Sequence, residues 1–214
     1  MTWGTNMTVE SVSRQERKQR TRQALLDGAL RLLADRSLAS LSLREVAREA
    51  GIVPTAFYRH FESMDDLGVA LVEEAMRTLR RMIRDARRRP SADAIESSVQ
   101  TLVEQVRAHE PHFRFLTRER YGGTPDVRRA IAGQLRLFAS ELATDLGRFP
   151  GMAQWSADDL RMGADLMVAA MLSIVLALLE VDRNHAEDEL EVIDSARRQL
   201  RIIALGMSQW RSTP

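Results

Sequence analysis

Cysteine is absent from this chain of 214 residues, which excludes disulfides, catalytic thiolates and cysteine-based metal sites within it. Glycine and proline are scarce, with 11 and 6 residues, and aromatic residues make up only 5%. No segment alternates polar and apolar residues as a β-strand would, whereas charged residues account for 29% of the chain. These features predict an all-α protein of about nine helices.

Long apolar segments are also missing. The longest uncharged run, residues 166–179, has 14 residues, and about 20 are needed to cross a bilayer. Residues 1–13 lack the basic start and apolar core of a signal peptide, so a cytoplasmic protein without a membrane partner is expected. The same residues are expected to be disordered, ahead of a long helix that starts at Ser13 or Arg14.

The net charge is only +1, but the charges are unevenly distributed. Residues 14–60 contain ten Arg or Lys and five acidic residues, which gives a local charge of +5. A basic excess confined to one region is typical of a surface that attracts DNA phosphates. Four of these cations open the first long helix and are expected to approach the DNA backbone, although a solvated helix start is the alternative. They are Arg17, Lys18, Arg20 and Arg22.

Residues 41–61, LSLREVAREAGIVPTAFYRHF, predict two short helices joined by a tight turn. Ser42 is placed to cap the first helix, and Glu45 follows three residues later, which completes a capping box. Gly51 supplies the positive φ that a helix end often needs. Pro54 suits the first turn of the second helix, where its missing N–H costs nothing.

In the second short helix, Phe57 and Phe61 lie one turn apart and are expected to face the core. This arrangement is typical of a helix-turn-helix whose second helix enters the DNA major groove. The same pattern occurs in all-α cores that do not bind DNA, and the pattern alone leaves that alternative open. The residues left on the outer face are Thr55, Ala56, Tyr58, Arg59 and His60.

Further helices are predicted after the helix-turn-helix, with breaks at proline and glycine. The helix over about 157–183 is apolar nearly all round, so it must be covered on both sides. Together with the last helix it would form a four-helix homodimer interface, unless both helices simply close the monomer core. The predicted helices span about 63–89, 91–109, 111–120, 126–148, 157–183 and 187–210.

No pattern predicts an enzyme, a cofactor or a metal site. His109 and His112 flank Pro111, a break that prevents them from sharing one helical face. Neither a nucleophile–base pair nor a pair of catalytic carboxylates can be identified from spacing. The Gly122-Gly123 pair lacks the lysine that would complete a phosphate-binding loop.

Residues 41–67, LSLREVAREAGIVPTAFYRHFESMDDL, closely resemble the DNA-binding segment of TetR-family transcriptional regulators. The resemblance covers residues 17–67. It implies an all-α dimeric repressor with a three-helix DNA-binding domain over residues 14–62. Residues 63–214 would then form a ligand-binding and dimerisation domain.

Applied residue by residue, the resemblance implies base contacts and phosphate contacts in the helix-turn-helix. Many family members have lysine where this chain has Met64, so the phosphate contact at that position is in doubt. Bases would be faced by Thr55 and Ala56, with Arg59 a further candidate, and the backbone by Ser42, Arg44, Tyr58 and His60.

Residues 37–61, together with RERYGG at 118–123, are similar to the FabR and DesT subgroup of the family. The subgroup represses genes of unsaturated fatty-acid synthesis and senses long-chain acyl-CoA. The resemblance implies a palindromic operator, an apolar acyl pocket and an arginine-lined mouth for the CoA phosphates. The expected ligand-binding residues are Met76, Phe113, Phe115, Leu116, Arg118, Arg120, Phe138, Met167 and Met171.

Two alternatives stay open for the C-terminal domain. The methionine and phenylalanine residues could be ordinary core, which is their commonest role. Alternatively, the protein could regulate an efflux or catabolic operon in response to a hydrophobic drug or metabolite. A cationic drug would require buried acids, for which the candidates are Glu104, Asp165 and Glu180.

Overall fold

The computed structural model describes residues 6–87, 94–182 and 185–212, and these fold into nine α-helices and two short 3-10 helices without a β-strand. The predicted all-α fold of about nine helices is therefore confirmed. The helices are α1 (Asn6–Leu32), α2 (Leu43–Glu49), α3 (Pro54–Phe57), α4 (Met64–Arg87), α5 (Ala94–Ala108), α6 (Glu110–Gly122), α7 (Pro125–Leu146), α8 (Ala157–Glu180) and α9 (Ala186–Gln209). The 3-10 helices are Leu38–Ser40 and Pro150–Met152.

Helix α1 begins at Asn6, well before the predicted start at Ser13 or Arg14. The prediction followed the apolar stripe of the helix, which begins later, whereas no proline or glycine interrupts residues 6–13. The segment expected to be disordered therefore overlaps a helix from Asn6 onward. Residues 1–5 lie outside the described part of the chain.

The buried apolar residues form two clusters. The larger cluster joins the three N-terminal helices to α4, α6, α7, α8 and α9, so these three helices have no separate core of their own. The smaller cluster is formed by α5, α6, α8 and α9. Leu79 of α4 and Ile203 of α9 pack against both clusters, and a cavity lies among these helices.

Gly68 allows α4 to approach Leu38 and α7 closely. It lies in the second turn of α4, where Leu38 and Val127 of α7 meet that helix. A Cβ atom at this position would lie 2.4 Å from Leu38 Cδ2 and 2.8 Å from Val127 Cγ2. Both distances are shorter than atoms tolerate, so only glycine fits this junction without displacement of its neighbours.

Helix α8 packs between α7 and α9. By length and mean hydropathy it could cross a membrane, which the count of uncharged residues had not indicated, and 39% of its most apolar window is buried in the fold. Its exposed apolar residues include Met162, Leu166 and Leu176.

Helix α9 buries Ala196, Leu200 and Met207, whereas Leu190 lies outside this buried face. The steps of three and four residues between the apolar positions of this helix predict that Leu190 shares the face of Ala196 and Leu200, but Leu190 is 63% exposed. Successive steps of three residues advance only about 300° around a helix, so the face chosen from the sequence drifts away from Leu190. Ile202 and Leu205 are exposed as well, at 70% and 61%.

Candidate DNA-binding surface and ligand cavity

The start of α2 is fixed by side-chain hydrogen bonds. The Ser42 hydroxyl accepts the N–H of Glu45 at 3.3 Å, and Glu45 Oε2 accepts the N–H of Ser42 at 2.8 Å. Arg36 lies 2.9 Å from Glu45 Oε1. The Ser42 hydroxyl, followed by Arg36, lowers the pKa of the Glu45 carboxyl to about 2. The predicted capping box is confirmed, and it holds the end of α2 that carries Ser42 and Arg44.

The turn between α2 and α3 follows the sequence prediction. Gly51 has a φ of 69°, the left-handed conformation that glycine adopts without strain. Pro54 occupies the first turn of α3, whose N-cap is Val53. The α-helical part of this second helix ends at Phe57, and residues 58–60 continue as turns, with the N–H of His60 donating to Phe57 O at 2.8 Å. We call residues 54–60 the recognition element. Its α-helical part is shorter than the sequence predicted.

The recognition element is anchored by two phenylalanines. Phe57 and Phe61 are buried, as predicted, with ring centroids 5.7 Å apart. Tyr58 is 65% exposed and meets the Phe57 ring at its edge. The other outward positions are accessible to different degrees: Thr55 and Arg59 are exposed, and Ala56 and His60 are half-buried.

Basic residues of α1 lie beside this element. Burial lowers the pKa of His60 below its ordinary value, and the nearby charges of Lys18, Arg22 and Arg59 lower it further. Arg22 also stacks over the Phe61 ring, with its Cζ 4.7 Å from the ring centroid. The cations in the middle of α1 and the recognition element therefore lie on one surface.

Most of the positive charge in this region is free to meet an external anion. Arg31 pairs with Glu49 at 2.7 Å, and Arg36 pairs with Glu45. The other eight cations make no ion pair with any described residue. A set of unpaired cations around a helix-turn-helix is suited to bind phosphates. These residues are Arg14, Arg17, Lys18, Arg20, Arg22, Arg44, Arg48 and Arg59.

A cavity of about 810 Å³ lies in the C-terminal domain, among helices α4 to α9. This volume is within the range of about 300–1,000 Å³ that small-molecule sites have. The lining is mostly apolar, and exposed residues such as Tyr121 and Phe149 belong to it, so the cavity reaches the surface. The predicted ligand residues that line it are Met76, Phe113, Leu116, Arg120, Phe138, Met167 and Met171.

Two predicted ligand residues lie elsewhere. Phe115 is buried in the larger apolar cluster and does not line the cavity. Arg118 points to the DNA-binding domain, where its guanidinium donates to three carbonyl oxygens at the end of α1. The distances are 3.0 Å to Leu33 O, 3.2 Å to Ala34 O and 2.6 Å to Arg36 O. The expectation that Arg118 and Arg120 together form the cavity mouth is therefore wrong.

Helical spacing explains this division of α6. Residues 113, 116, 117 and 120 share one face of the helix and line the cavity, so residues 115, 118 and 119 face other directions. Glu119 is buried, with 1% exposure, and its Oε1 accepts the N–H of Leu38 at 2.9 Å. One face of α6 thus lines the cavity while Arg118 and Glu119 hold the segment between α1 and α2. This link between α6 and the N-terminal helices was not predicted from the sequence.

The acids proposed to bind a cationic drug do not line the cavity. Glu104, Asp165 and Glu180 are exposed. The acid that does line it, Asp145, already pairs with Arg148 at 3.0 Å. A cationic ligand would therefore find no unpaired carboxylate among the described lining residues.

Three uncharged polar residues of the lining were also missed by the sequence analysis. Ser97, Thr101 and Gln105 extend along α5 and contribute to the cavity wall. Their spacing of four residues was visible in the sequence, but only the packing of α5 reveals that this side faces the cavity.

Two family models cover most of the chain. Residues 25–71 match the model of bacterial regulatory proteins of the tetR family, and residues 91–204 match that of the tetracyclin repressor-like C-terminal domain. The first match contains the helix-turn-helix, and the second contains α5 to α8 and most of α9.

Solved structures share the fold at low sequence identity. SCO4454, a TetR-family regulator from Streptomyces coelicolor, is 21% identical over 89% of this chain and 97% of its own, with a TM-score of 0.67. FadR from Bacillus subtilis, in complex with stearoyl-CoA, is 14% identical over 85% and 96%, with a TM-score of 0.66. AibR, in complex with isovaleryl coenzyme A and operator DNA, is 17% identical over 83% and 96%, with a TM-score of 0.62. Because the two family models match most of its residues, this chain belongs to the TetR family of bacterial regulatory proteins.

Proposed function

We propose that this TetR-family regulator binds a palindromic operator as a homodimer in the cytoplasm and represses genes of unsaturated fatty-acid synthesis. Its effector in this proposal is a long-chain acyl-CoA, as in the FabR and DesT subgroup. The observation that carries the proposal is the mainly apolar cavity of about 810 Å³, whose wall α6 also holds the DNA-binding domain through Arg118 and Glu119.

The basic surface around the helix-turn-helix supports DNA as the partner. Eight cations there have no carboxylate partner among the described residues. The exposed Tyr58 and Thr55 are available to bases and phosphates. A surface of this kind gives binding that weakens steeply as salt increases, because phosphate contacts release counterions.

The exposed stripe along α8 supports a homodimer. Positions 162, 166, 169, 173 and 176 are all exposed, and they are spaced by alternating steps of four and three residues. That spacing keeps one seam of a helix against another helix. Ile202 and Leu205 of α9 add exposed apolar surface. A monomer rarely leaves so many large apolar side chains in water without a partner.

The ligand class is supported by the lining and by two structural neighbours. Met76, Phe138, Met167 and Met171 offer an adaptable apolar wall, which suits an alkyl chain. FadR and AibR, which share the fold, were solved with stearoyl-CoA and isovaleryl coenzyme A. The long-chain effector and its target genes rest on the subgroup resemblance.

In this mechanism the ligand shifts the population of two dimer conformations. Two recognition elements can bind one operator only when their separation is about one helical turn of DNA, roughly 34–36 Å. A ligand that favours one separation therefore changes operator affinity by its differential affinity for the two conformations. Motion of α6 would reach α1 through Arg118 and Glu119.

A gel-shift experiment tests the proposal. The purified protein is titrated on the DNA upstream of its own gene, at two salt concentrations, with and without saturated and unsaturated long-chain acyl-CoAs. We expect salt-dependent specific binding and a change in affinity with at least one acyl-CoA. Specific binding without any response would rule out the acyl-CoA effector and leave the DNA-binding role intact, whereas the absence of specific binding would remove both.

A further inference from the structure

Helix α5 forms one wall of the cavity. This wall carries polar side chains that make no hydrogen bond to another described residue. Ser97, Thr101 and Gln105 line the cavity at intervals of four residues. This spacing places side chains in a row along one side of a helix, with about 5–6 Å between neighbouring Cβ atoms. None of the three side chains hydrogen-bonds to another described residue. We call these three residues the α5 row.

Several other polar side chains of the lining already have partners. The Thr117 hydroxyl donates to Phe113 O at 2.9 Å, and Arg148 pairs with Asp145 at 3.0 Å. Arg120 stacks over the Tyr121 ring, with its Cζ 5.3 Å from the ring centroid. Among the described lining residues, the α5 row is therefore a set of uncharged hydrogen-bonding side chains that remains available to a ligand.

The chemistry of the row selects a kind of ligand. Hydroxyl and carboxamide groups donate and accept hydrogen bonds, so they match a neutral amide, which has one group of each kind. A free fatty acid has no polar group along its chain, and its binding would leave the row unpaired within a mainly apolar cavity. Unpaired polar groups of this kind cost binding free energy.

We infer that the α5 row binds the amide groups of a pantetheine arm, so that the cavity takes the acyl group together with the arm that carries it. Pantetheine has two neutral amides separated by one β-alanyl unit. An extended residue spans about 3.3–3.6 Å, and the additional methylene of β-alanine brings the separation of the amides to about 5 Å. Two neighbouring positions of the row have nearly the same spacing.

This inference rests on the proposed acyl-CoA effector and makes it more specific. An acyl-CoA could also bind with only its alkyl chain in the cavity and its arm in solvent. In that case the row would contact water alone, and its side chains would not affect affinity. The inference therefore predicts that the neutral arm, and not only the chain or the phosphates, contributes to recognition.

The test compares three ligands with the same chain, namely oleoyl-CoA, oleoyl-pantetheine and oleic acid, by calorimetry on the full-length protein. The variants are Thr101→Val and Gln105→Leu, alone and combined. Gln100→Leu serves as the matched control, because Gln100 lies on the exposed side of α5 and bonds to Glu104 at 3.2 Å. Binding of oleic acid to each variant, together with its melting temperature, shows that the fold is kept.

We expect the wild-type protein to bind both thioesters more tightly than oleic acid. Each substitution in the row should weaken thioester binding by about 2–10-fold, the value of one hydrogen bond, and leave oleic acid binding unchanged. Gln100→Leu should change neither. Single variants keep the test decisive if the double variant does not fold.

Two negative outcomes have different meanings. If oleoyl-CoA binds the wild type but the row variants bind oleoyl-pantetheine as tightly as the wild type does, the inference is overturned and the acyl-CoA effector stands. If neither thioester binds the wild type, the acyl-CoA effector itself is wrong.

Discussion

Tyr58 is the residue that most directly separates DNA contact from folding. Its neighbours Phe57 and Phe61 are buried, whereas Tyr58 is 65% exposed and packs edge-on against the Phe57 ring. Tyr58→Ala should weaken operator binding at least about tenfold, since a hydrogen bond to a charged group is worth about 1.5–3 kcal/mol. Anisotropy titrations at fixed salt measure this loss, and thermal unfolding should show a nearly unchanged melting temperature.

The control for this prediction is Phe57→Ala, which empties a fully buried position. Removal of a core phenylalanine costs about 3–5 kcal/mol, so this variant should lose both stability and DNA binding. An operator affinity of Tyr58→Ala equal to that of the wild type would remove Tyr58 from the interface.

The lowered pKa of His60 leads us to expect that the affinity for operator DNA depends on pH. In the free protein its pKa lies below the ordinary value because of burial and of the charges on Lys18, Arg22 and Arg59, so the ring is neutral near pH 7. In the proposed complex, a DNA phosphate beside the ring would favour the charged form and raise this pKa. The complex would then bind more protons than the free protein does, and operator affinity should rise as pH falls from about 7.5 to 6.

The matched variant for this prediction is His60→Gln, which keeps a hydrogen-bonding side chain but does not titrate. Its operator affinity should depend less on pH than that of the wild type, when both are measured by anisotropy at constant ionic strength. Equal slopes for the two proteins would show that another group takes up the proton.

At the scale of helices, substitution of alanine for glycine should have opposite effects on stability at two positions within helices. Gly68 of α4 faces Leu38 and Val127 at distances that leave no room for a Cβ, whereas Gly133 of α7 has only the end of the Arg136 side chain nearby, at 3.8 Å. Alanine is favoured over glycine in a helix interior by about 0.8–1 kcal/mol. Overpacking costs about 1–3 kcal/mol.

Gly133→Ala should therefore raise the melting temperature, and Gly68→Ala should lower it despite the same gain in helix propensity. Differential scanning calorimetry checks both changes. If Gly68→Ala stabilised the protein, the close approach of α4 to Leu38 and α7 would not hold in solution.

Replacement of Arg118 should weaken the coupling between ligand binding in the cavity and operator binding. Its guanidinium binds three carbonyls at the end of α1, and its helix α6 also lines the cavity. Arg118→Gln should reduce the ligand-induced change in operator affinity, which for coupled sites is typically about 5–150-fold. Paired titrations of operator with and without saturating oleoyl-CoA measure the coupling.

Arg128→Gln is the control for that experiment, because Arg128 lies on α7 and donates to Gly123 O just before that helix, at 2.9 Å. It should retain the coupling of the wild type. A normal ligand response in Arg118→Gln would place the transmission route elsewhere, for example through the contact of α4 with α1.

The elements best predicted from the sequence are those specified by neighbouring residues. The capping box of Ser42 and Glu45, the positive φ of Gly51 and the break at Pro54 all act within a few residues. Each is a local rule of backbone geometry, so the helix-turn-helix could be drawn before the fold was known.

The cavity was less predictable because it is built by residues distant in the chain. Arg118 and Arg120 are only two positions apart, yet one reaches α1 and the other lines the cavity. Composition could suggest that methionine and phenylalanine serve a ligand, but it could not tell Phe113 from Phe115. The helical period separates these pairs only once the orientation of α6 against α1 is known.

At the scale of the whole molecule, the exposed apolar seam on α8 and α9 predicts the assembly. Leu166 and Ile202 are 52% and 70% exposed in one chain. If a second copy covers them, a charge at either position would be buried without a partner, which is strongly unfavourable. Leu166→Glu and Ile202→Glu should therefore convert a dimer to monomers in light scattering coupled to size-exclusion chromatography.

The same variants connect assembly to DNA recognition. A palindromic operator is bound through two half-sites, so a monomer keeps the contacts of only one and loses most of the affinity of the dimer. Leu137→Glu is the control, since Leu137 is an apolar residue of similar exposure (49%) on a different helix, α7. A protein that remained dimeric in both seam variants would have its interface on another surface. If Leu137→Glu alone produced monomers, α7 would be that surface.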